Sequence, residues 1–387
     1  MWVSISVPIA IHNTLTLPAM LHLQKISLVQ FRNYVQQDFS FTSKVVGICG
    51  LNGSGKTTLL DAIYYLGFTK SYFTRSDSQN VHHGLQGMRL KGNFLLNDEQ
   101  QEVISILREN NKKEFSVNGD DYKKFSEHIG KLPCVMIAPD DVAMVVGASE
   151  ERRKFVDTIL SQIDRNYLQD LIDYTKILQQ RNSLLKQAAE SGQINEALLQ
   201  IINEQLSQKG TAIYQQRTAF LSEFIVLVLQ FYARIAGKGD NVSIAYDSDL
   251  QNGEMLQLLQ GSRQKDMILQ RTTIGIHKDD LEIKMGDTAF KNDASQGQRK
   301  SLLFALKLAE WQTLKTKKGF APILLLDDVF EKLDEQRMHN LLHWVCSNDD
   351  GQVFITDTHS ARLQQQLNAI EVSYQLVELT TTDNVSS

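Results

Sequence analysis

The sequence predicts an α/β fold in which a mixed sheet with helices is assembled from both chain ends, with an α-helical lobe inserted between the two parts. Three observations predict it. Residues 50–58 form a glycine-rich loop that follows an apolar strand and opens a helix. Ile323 to Leu326 is a second all-apolar strand, and it ends in two carboxylates. Between them, from about residue 150 to residue 236, the mixed texture gives way to a helical period.

Composition narrows the class. At 387 residues the chain is long for one core, so two domains are expected. Hydrophobic residues make up 42% and charged residues 22%, the balance of a globular protein. A net charge of -5 argues against a uniformly basic coat for nucleic acid, so contact with a polyanion must come from local patches. No run of about 18 consecutive apolar residues is seen, which argues against a membrane-spanning helix. Cys49, Cys134 and Cys346 lie far apart and match no metal-ligand spacing, the pattern of free thiols in a reducing cytosol.

Residues 1–19 have an apolar centre with no Lys or Arg ahead of it, unlike a secretory signal. At Met20 an alternating strand pattern begins, so residues 1–19 are expected to be a non-native start or a disordered extension. Residues 20–149 read as the first part of the head. Leu23, Ile26 and Leu28 mark one strand, Phe39 and Phe41 a second, and Val45 to Cys49 a buried third. From Lys56 onward, Leu59, Leu60, Ile63 and Tyr64 recur at helical spacing.

Residues 150–270 read as the lobe. Phe155, Ile159, Ile163, Tyr167, Leu171, Tyr174, Leu178 and Leu185 share one helical face. Ser191 and Gly192 break it, and a second stripe runs from Leu198 through Ile213 and Phe224 to Ile235, ended by Gly237, Gly239 and Asn241. Two antiparallel helices of roughly 40 residues would extend about 60 Å, as a protruding arm or as a packed helical domain. Residues 271–387 complete the head, with a strand at Thr273 to Ile276, a helix at 296–317, and buried strands at Ile323 to Leu326 and Val353 to Thr356.

The chemistry sits in three segments. Gly50, Leu51, Asn52, Gly53, Ser54, Gly55, Lys56 and Thr57 fit the phosphate-loop pattern, with Thr58 beside it. Its glycines let backbone N–H groups close on phosphate oxygens at a helix N-terminus. Lys56 adds a point charge to the triphosphate, and Thr57 a hydroxyl ligand for Mg2+. Asp327 and Asp328 stand at the end of a buried strand, where a doubly wound sheet faces its ligand. Asp327 suits the Mg2+ site. Asp328 stands where the water-polarising carboxylate of an ATPase belongs, and it is one methylene shorter than the usual Glu, so slow hydrolysis is expected.

Ser295, Gln296, Gly297 and Gln298 open the long helix. Ser295 is a good N-cap, and the same geometry can hold a γ-phosphate. Lying after a phosphate loop and before the acidic strand end, the segment matches the signature motif of an ABC-type P-loop ATPase head, which contacts the nucleotide of a partner subunit. Asp334 fits the loop that crosses such an interface. His359 follows the next strand, where it is either a structural histidine or a γ-phosphate sensor.

With these residues in place the chain resembles the RecF family of bacterial DNA-repair proteins. Lys25 to Tyr34 (KISLVQFRNY) is similar to that family's opening. Ile137 to Val142 resembles its SPEDL segment, Glu151 to Asp157 its ERRRFLD segment and Gly275 to Leu281 its GPHRDDL segment, with Ile276 in place of the Pro. The resemblance runs from Met20 to about residue 372. It implies an ATP-dependent homodimer that binds double-stranded DNA at single-strand gaps and works with RecO and RecR to load RecA. It also implies nucleotide contacts from Arg32 and Asn33. Lys112, Lys113, Lys123, Lys124, Lys70, Arg75, Arg152 and Arg153 are candidates for phosphate contacts or a solvated surface.

Two rivals differ in organisation. An ABC-transporter ATPase subunit is a short contiguous cassette, whereas here a long helical stretch parts Lys56 from Ser295. A chromosome clamp of the SMC type needs far longer coiled-coil arms.

Overall fold

The computed structural model describes residues 20–237, 240–328, 335–347 and 351–380. The readings for residues 1–19, for Gly239 and for Asp334 lie outside these.

The first part of the chain builds two sheets and the helix between them. Strands β1 (Leu21–Phe31), β2 (Tyr34–Ser40) and β3 (Val45–Gly50) lead into helix α1 (Lys56–Phe68). Then come β4 (Met88–Leu96), β5 (Glu99–Leu107), β6 (Lys113–Val117), β7 (Asp120–Asp121) and β8 (Cys134–Ile137). One sheet is antiparallel in the order β2-β1-β4-β5-β6-β7. The other adds β12 (Ile323–Leu326), β13 (Val353–Asp357) and β14 (Tyr374–Leu379) from the C-terminal part, in the order β14-β3-β13-β12-β8 with parallel pairing throughout. The head is thus built from both chain ends. Both faces of this sheet are buried. Val46, Ile48, Leu325 and Phe354 join the core around α1, while Val45, Cys49, Leu324 and Leu326 join the core facing the lobe. That explains why these strands read as continuous apolar runs rather than alternations. All three cysteines are buried free thiols.

The lobe begins after a short turn of helix, α2 (Ala143–Val146). The first long helix is in fact two, α3 (Ser149–Ile163) and α4 (Arg165–Ser191). Asp164 adopts an extended conformation and its carboxylate accepts the N–H of Asn166, so it caps a new helix and ends the old one. Helix α5 (Glu196–Ala236) runs unbroken for 41 residues, and Gly192 and Gly237 end α4 and α5 in left-handed conformation. By length and composition alone, α5 is apolar enough to cross a membrane. Here its stripe of Phe224, Val228, Phe231 and Ile235 enters the core shared with the long head helix Gln296–Lys318. The pair α4–α5 is therefore a packed domain over most of its length.

Strand β9 (Val242–Asp247) follows, then α6 (Met255–Gly261) and α7 (Arg263–Leu269), then β10 (Asp280–Met285) and β11 (Thr288–Ala289). Strands β9, β10 and β11 form a third, antiparallel sheet, so pairing crosses the boundary expected after residue 270. Thr273 to Ile276 is a loop, not a strand. Thr273 turns its N–H and hydroxyl to Asp266, and Gly275 lies at φ 127, outside the reach of extended pairing. The chain then forms α8 (Phe290–Asp293), α9 (Gln296–Lys318), α10 (Glu335–Ser347) and α11 (Ser360–Ala369).

Candidate nucleotide site

The parallel sheet sets the site. Strands β3, β13 and β12 are neighbours, with Asp357 opposite Cys49 and Leu326 opposite Ile355. Their C-terminal ends therefore deliver the phosphate loop, the Asp357–His359 segment and the Asp327–Asp328 pair to one edge.

The loop is shaped to close on an anion. Gly53 and Gly55 lie at φ 83 and 103, where side chains are strained. A Cβ on Gly55 would stand 2.6 Å from the Tyr34 hydroxyl and 2.7 Å from Asn33 Nδ2. The β1–β2 turn is thus pressed onto the loop, and the Tyr34 hydroxyl donates to the Gly55 carbonyl at 3.2 Å. Lys56 Nζ donates to the carbonyls of Gly50 and Leu51 at 2.8 and 3.1 Å. Thr58 is buried behind the loop, and Leu51 at its tip is exposed.

Thr57 points across the edge. Its hydroxyl lies 2.9 and 3.1 Å from the two carboxylate oxygens of Asp327. Thr356 donates to the same carboxylate at 2.8 Å, and its hydroxyl accepts the N–H of Asp328 at 2.8 Å. Burial raises the Asp327 carboxyl above its ordinary value, the two hydroxyls oppose that, and Asp328 adds to it. Thr356 was not anticipated from sequence. Its only signal was a polar residue ending an otherwise apolar strand.

The structure separates the remaining residues into groups. Asn33 lies against the loop. The Arg32 guanidinium, from the same turn, is held instead by Asp61 of α1 at 2.7 Å and by Ser71 and Asn80. Arg32 itself is in left-handed conformation at φ 51, with its carbonyl 2.6 Å from His82 Nδ1. His359 is exposed, with its N–H on Asp357 at 2.9 Å, and it caps α11.

Ser295 is the N-cap of α9 in a full capping box. Its hydroxyl accepts the Gln298 N–H at 3.2 Å, and Gln298 Oε1 accepts the Ser295 N–H at 2.8 Å. Gln298 also donates to Asp240 at 3.0 Å, and Gly297 leaves room for Arg337. Among the described residues, no hydrogen bond or ion pair joins 295–298 to the phosphate loop. At the tip of the loop Leu51, Asn52 and Gly53 are exposed.

The comparisons with known proteins fit this layout. The family described as RecF/RecN/SMC N terminal domain matches residues 22–381. The chain is 41% identical over 359 residues to the DNA replication and repair protein RecF of Flavobacterium johnsoniae, covering 93% of this chain and all of that one. With the RecF of Bacteroides thetaiotaomicron it shares 39% over 355 residues, covering 92% of this chain and 95% of that one.

The chain belongs to the RecF family.

A solved RecF structure, described as RecF-ATP in the RecFOR pathway, superposes with a TM-score of 0.83 at 30% identity, covering 90% of this chain and 95% of that one. A Pyrococcus furiosus Smc head domain superposes at 0.53 with 15% identity, a likeness of fold alone. Membership of RecF, a family of DNA replication and repair proteins, together with the inserted lobe, disfavours the transporter reading. Within this RecF-family chain, several basic candidates already have partners, Lys112 with Glu114 at 3.7 Å and Arg153 with the Asp279 carbonyl at 2.6 Å among them. Lys113 pairs with Asp77 at 3.0 Å over the Tyr65 and Phe125 rings, and Arg152 grips Asp280 at 2.6 and 2.9 Å. Asp61, Arg32's partner, was missed. Its signal was a lone carboxylate in the apolar run Leu59 to Leu66.

Proposed function

We propose that this RecF-family chain binds ATP and Mg2+ between two copies of itself. Closed on ATP as a homodimer, it holds double-stranded DNA at single-strand gaps and acts with RecR and RecO to promote RecA loading in the cytoplasm. The observation that carries the reading is the phosphate loop facing Asp327 through Thr57, with the tip of the loop exposed. A RecF relative solved with ATP supports the nucleotide.

The residues present fit the groups proposed. One hydroxyl and one carboxylate, with the remaining positions left to phosphate oxygens and water, is the donor set that Mg2+ takes. When bound, the ion neutralises charge on the phosphates. Gly55 lets the β1–β2 turn close on the loop, where a Cβ would collide with Tyr34 and Asn33. Lys56 Nζ, held on two loop carbonyls, exchanges them for phosphate oxygens. Asp328 orients the attacking water, and His359 faces the γ-phosphate from the adjacent strand end. Ser295, Gln296, Gly297 and Gln298 meet the partner's nucleotide, with the helix N-terminus turned to negative charge. With Asp in place of Glu, turnover stays below about 10 s⁻¹, a typical enzyme median, and DNA raises it.

The test is assembly size by sedimentation with ATP, with ADP and without nucleotide. A dimer is expected with ATP alone, and it is expected to vanish in Lys56→Ala and in Ser295→Arg. A dimer indifferent to nucleotide would overturn the reading.

A further inference from the structure

Two clusters of polar contacts, one at the β1–β2 turn and one inside helix α9, are joined through the backbone and ring of Tyr72. The first centres on Asp61, which is fully buried on α1 and receives Arg32 at 2.7 Å. Asp61 also accepts the Ser71 hydroxyl and the Tyr72 N–H, both at 2.8 Å. The Tyr72 ring then crosses to the far side of the head, packed edge-on to Tyr64 and Phe73. Its hydroxyl donates to Asp141, just after β8, in a short hydrogen bond. Lys307 of α9 reaches the same hydroxyl at 3.5 Å and pairs with Glu310 at 3.4 Å.

Lys307 and Glu310 are 4% and 2% exposed, so this pair sits in the core of the helix that Ser295 caps about three turns away. Buried charges on a helix that packing alone could hold call for a reason, because apolar residues would stabilise that core at least as well. Here they attach α9 to a hydroxyl from the segment that follows the phosphate-loop helix.

We propose that Tyr72 is a positioning residue that couples the phosphate-loop helix to the signature helix of the same chain. Resting on the reading that Arg32 meets nucleotide and Ser295 meets the partner's, the relay works as follows. Nucleotide draws the Arg32 guanidinium from Asp61. The carboxylate, no longer shared with Arg32, draws closer to the Ser71 hydroxyl and the Tyr72 N–H that it already holds. The Tyr72 hydroxyl then moves Lys307, and with it the tip of α9. Occupancy of one site in this way sets the helix offered to the partner's site.

Tyr72→Phe removes one oxygen and leaves the ring between Tyr64 and Phe73. Two quantities are read, the affinity of the monomer for a fluorescent ATP analogue and the dissociation constant of the dimer in ATP. The expected result is an unchanged monomer affinity with the dimer constant raised about ten-fold, within the usual range of coupling between sites. Lys307→Met should weaken the dimer similarly, and the double variant should cost no more than the larger single, because both cut one connection. A Tyr72→Phe protein that dimerises as tightly as the parent overturns the proposal. So does one that loses monomer affinity, melting temperature and dimer together, which would mark a merely structural role. If the parent itself fails to dimerise on ATP, the functional reading has failed first and this coupling falls with it.

Discussion

Gly55 and Gly53 carry the same kind of backbone but different surroundings, and the difference separates strain from function. Both lie at positive φ, so an Ala at either costs on the order of 1–2 kcal/mol in strain. Around Gly53 nothing lies within 4 Å of the added Cβ, whereas at Gly55 it would meet Tyr34 and Asn33. Gly53→Ala is therefore expected to bind ATP with only a modest loss. Gly55→Ala must push the β1–β2 turn off the loop, and its ATP affinity is expected to fall at least ten-fold, about 1.4 kcal/mol. Calorimetric titration of both variants decides the matter, and equal losses would show that the turn does not shape the loop. The loop was legible in sequence because its chemistry is local. The pressure of Asn33 and Tyr34 on it was not, since it arises from the packing of two separate sheets on a shared core.

At the scale of elements, the segment between α7 and β10 shows how a misread stretch is held. Residues 273–276 look like a strand by composition, yet side chains from the lobe bind them as a loop. Arg217, buried at 2%, donates to the Ile276 carbonyl and pairs with Asp279 and Asp157. His277 has Nδ1 at 2.8 Å from the Tyr174 hydroxyl and Nε2 at 3.1 Å from the Thr272 carbonyl. A carbonyl only accepts, so Nε2 carries a proton, and in the neutral ring Nδ1 accepts from the Tyr174 hydroxyl. Burial first, and then the nearby Lys278 and Arg153, bring its pKa down to about 4. An unfolded His takes up its proton near 6.5. The folded state therefore binds fewer protons between those values, so the stability this group contributes is full above about 6.5 and is lost as pH falls toward 4. His128, also lowered to about 4 by burial, acts in the same direction. Melting temperature is expected to drop over this window, and His277→Gln should shrink the drop without abolishing it. An acid limb identical to the parent's would exclude His277 as a contributor. Buried strands and the α9 helix were readable because each carries its own period. The break at Asp164 and the β9–β10 pairing were not, because one depends on a single cap and the other on residues more than 30 positions apart.

On the scale of the whole molecule, basic and acidic side chains meet at the junction of head and lobe, where Lys70, Arg153 and Lys154 stand among Glu150, Glu151, Asp140 and Asp141. Two adjoining cavities of about 460 and 560 Å³ open there and share Phe68, Lys70, Lys154 and Thr158. Arg153 lines the first and Arg75 the second. Desolvation, and then the charge of Lys154, hold Lys70 below its ordinary value. Lys278 is lowered by desolvation and then by Arg271 and Arg153. Such mutual repulsion is relieved when phosphates arrive, and α3, which carries Arg153 and Lys154, packs on both α9 and β10. Lys154→Glu is expected to weaken binding to gapped duplex DNA across unrelated sequences and to flatten its salt dependence by about one phosphate contact. The ATP-driven dimer should survive, because Lys154 lies away from the phosphate loop and from Ser295. Affinity measured over a series of salt concentrations tests this. A parallel displacement of the line with its slope intact would show that the charge acts at a distance, and an unchanged line would move the DNA surface elsewhere.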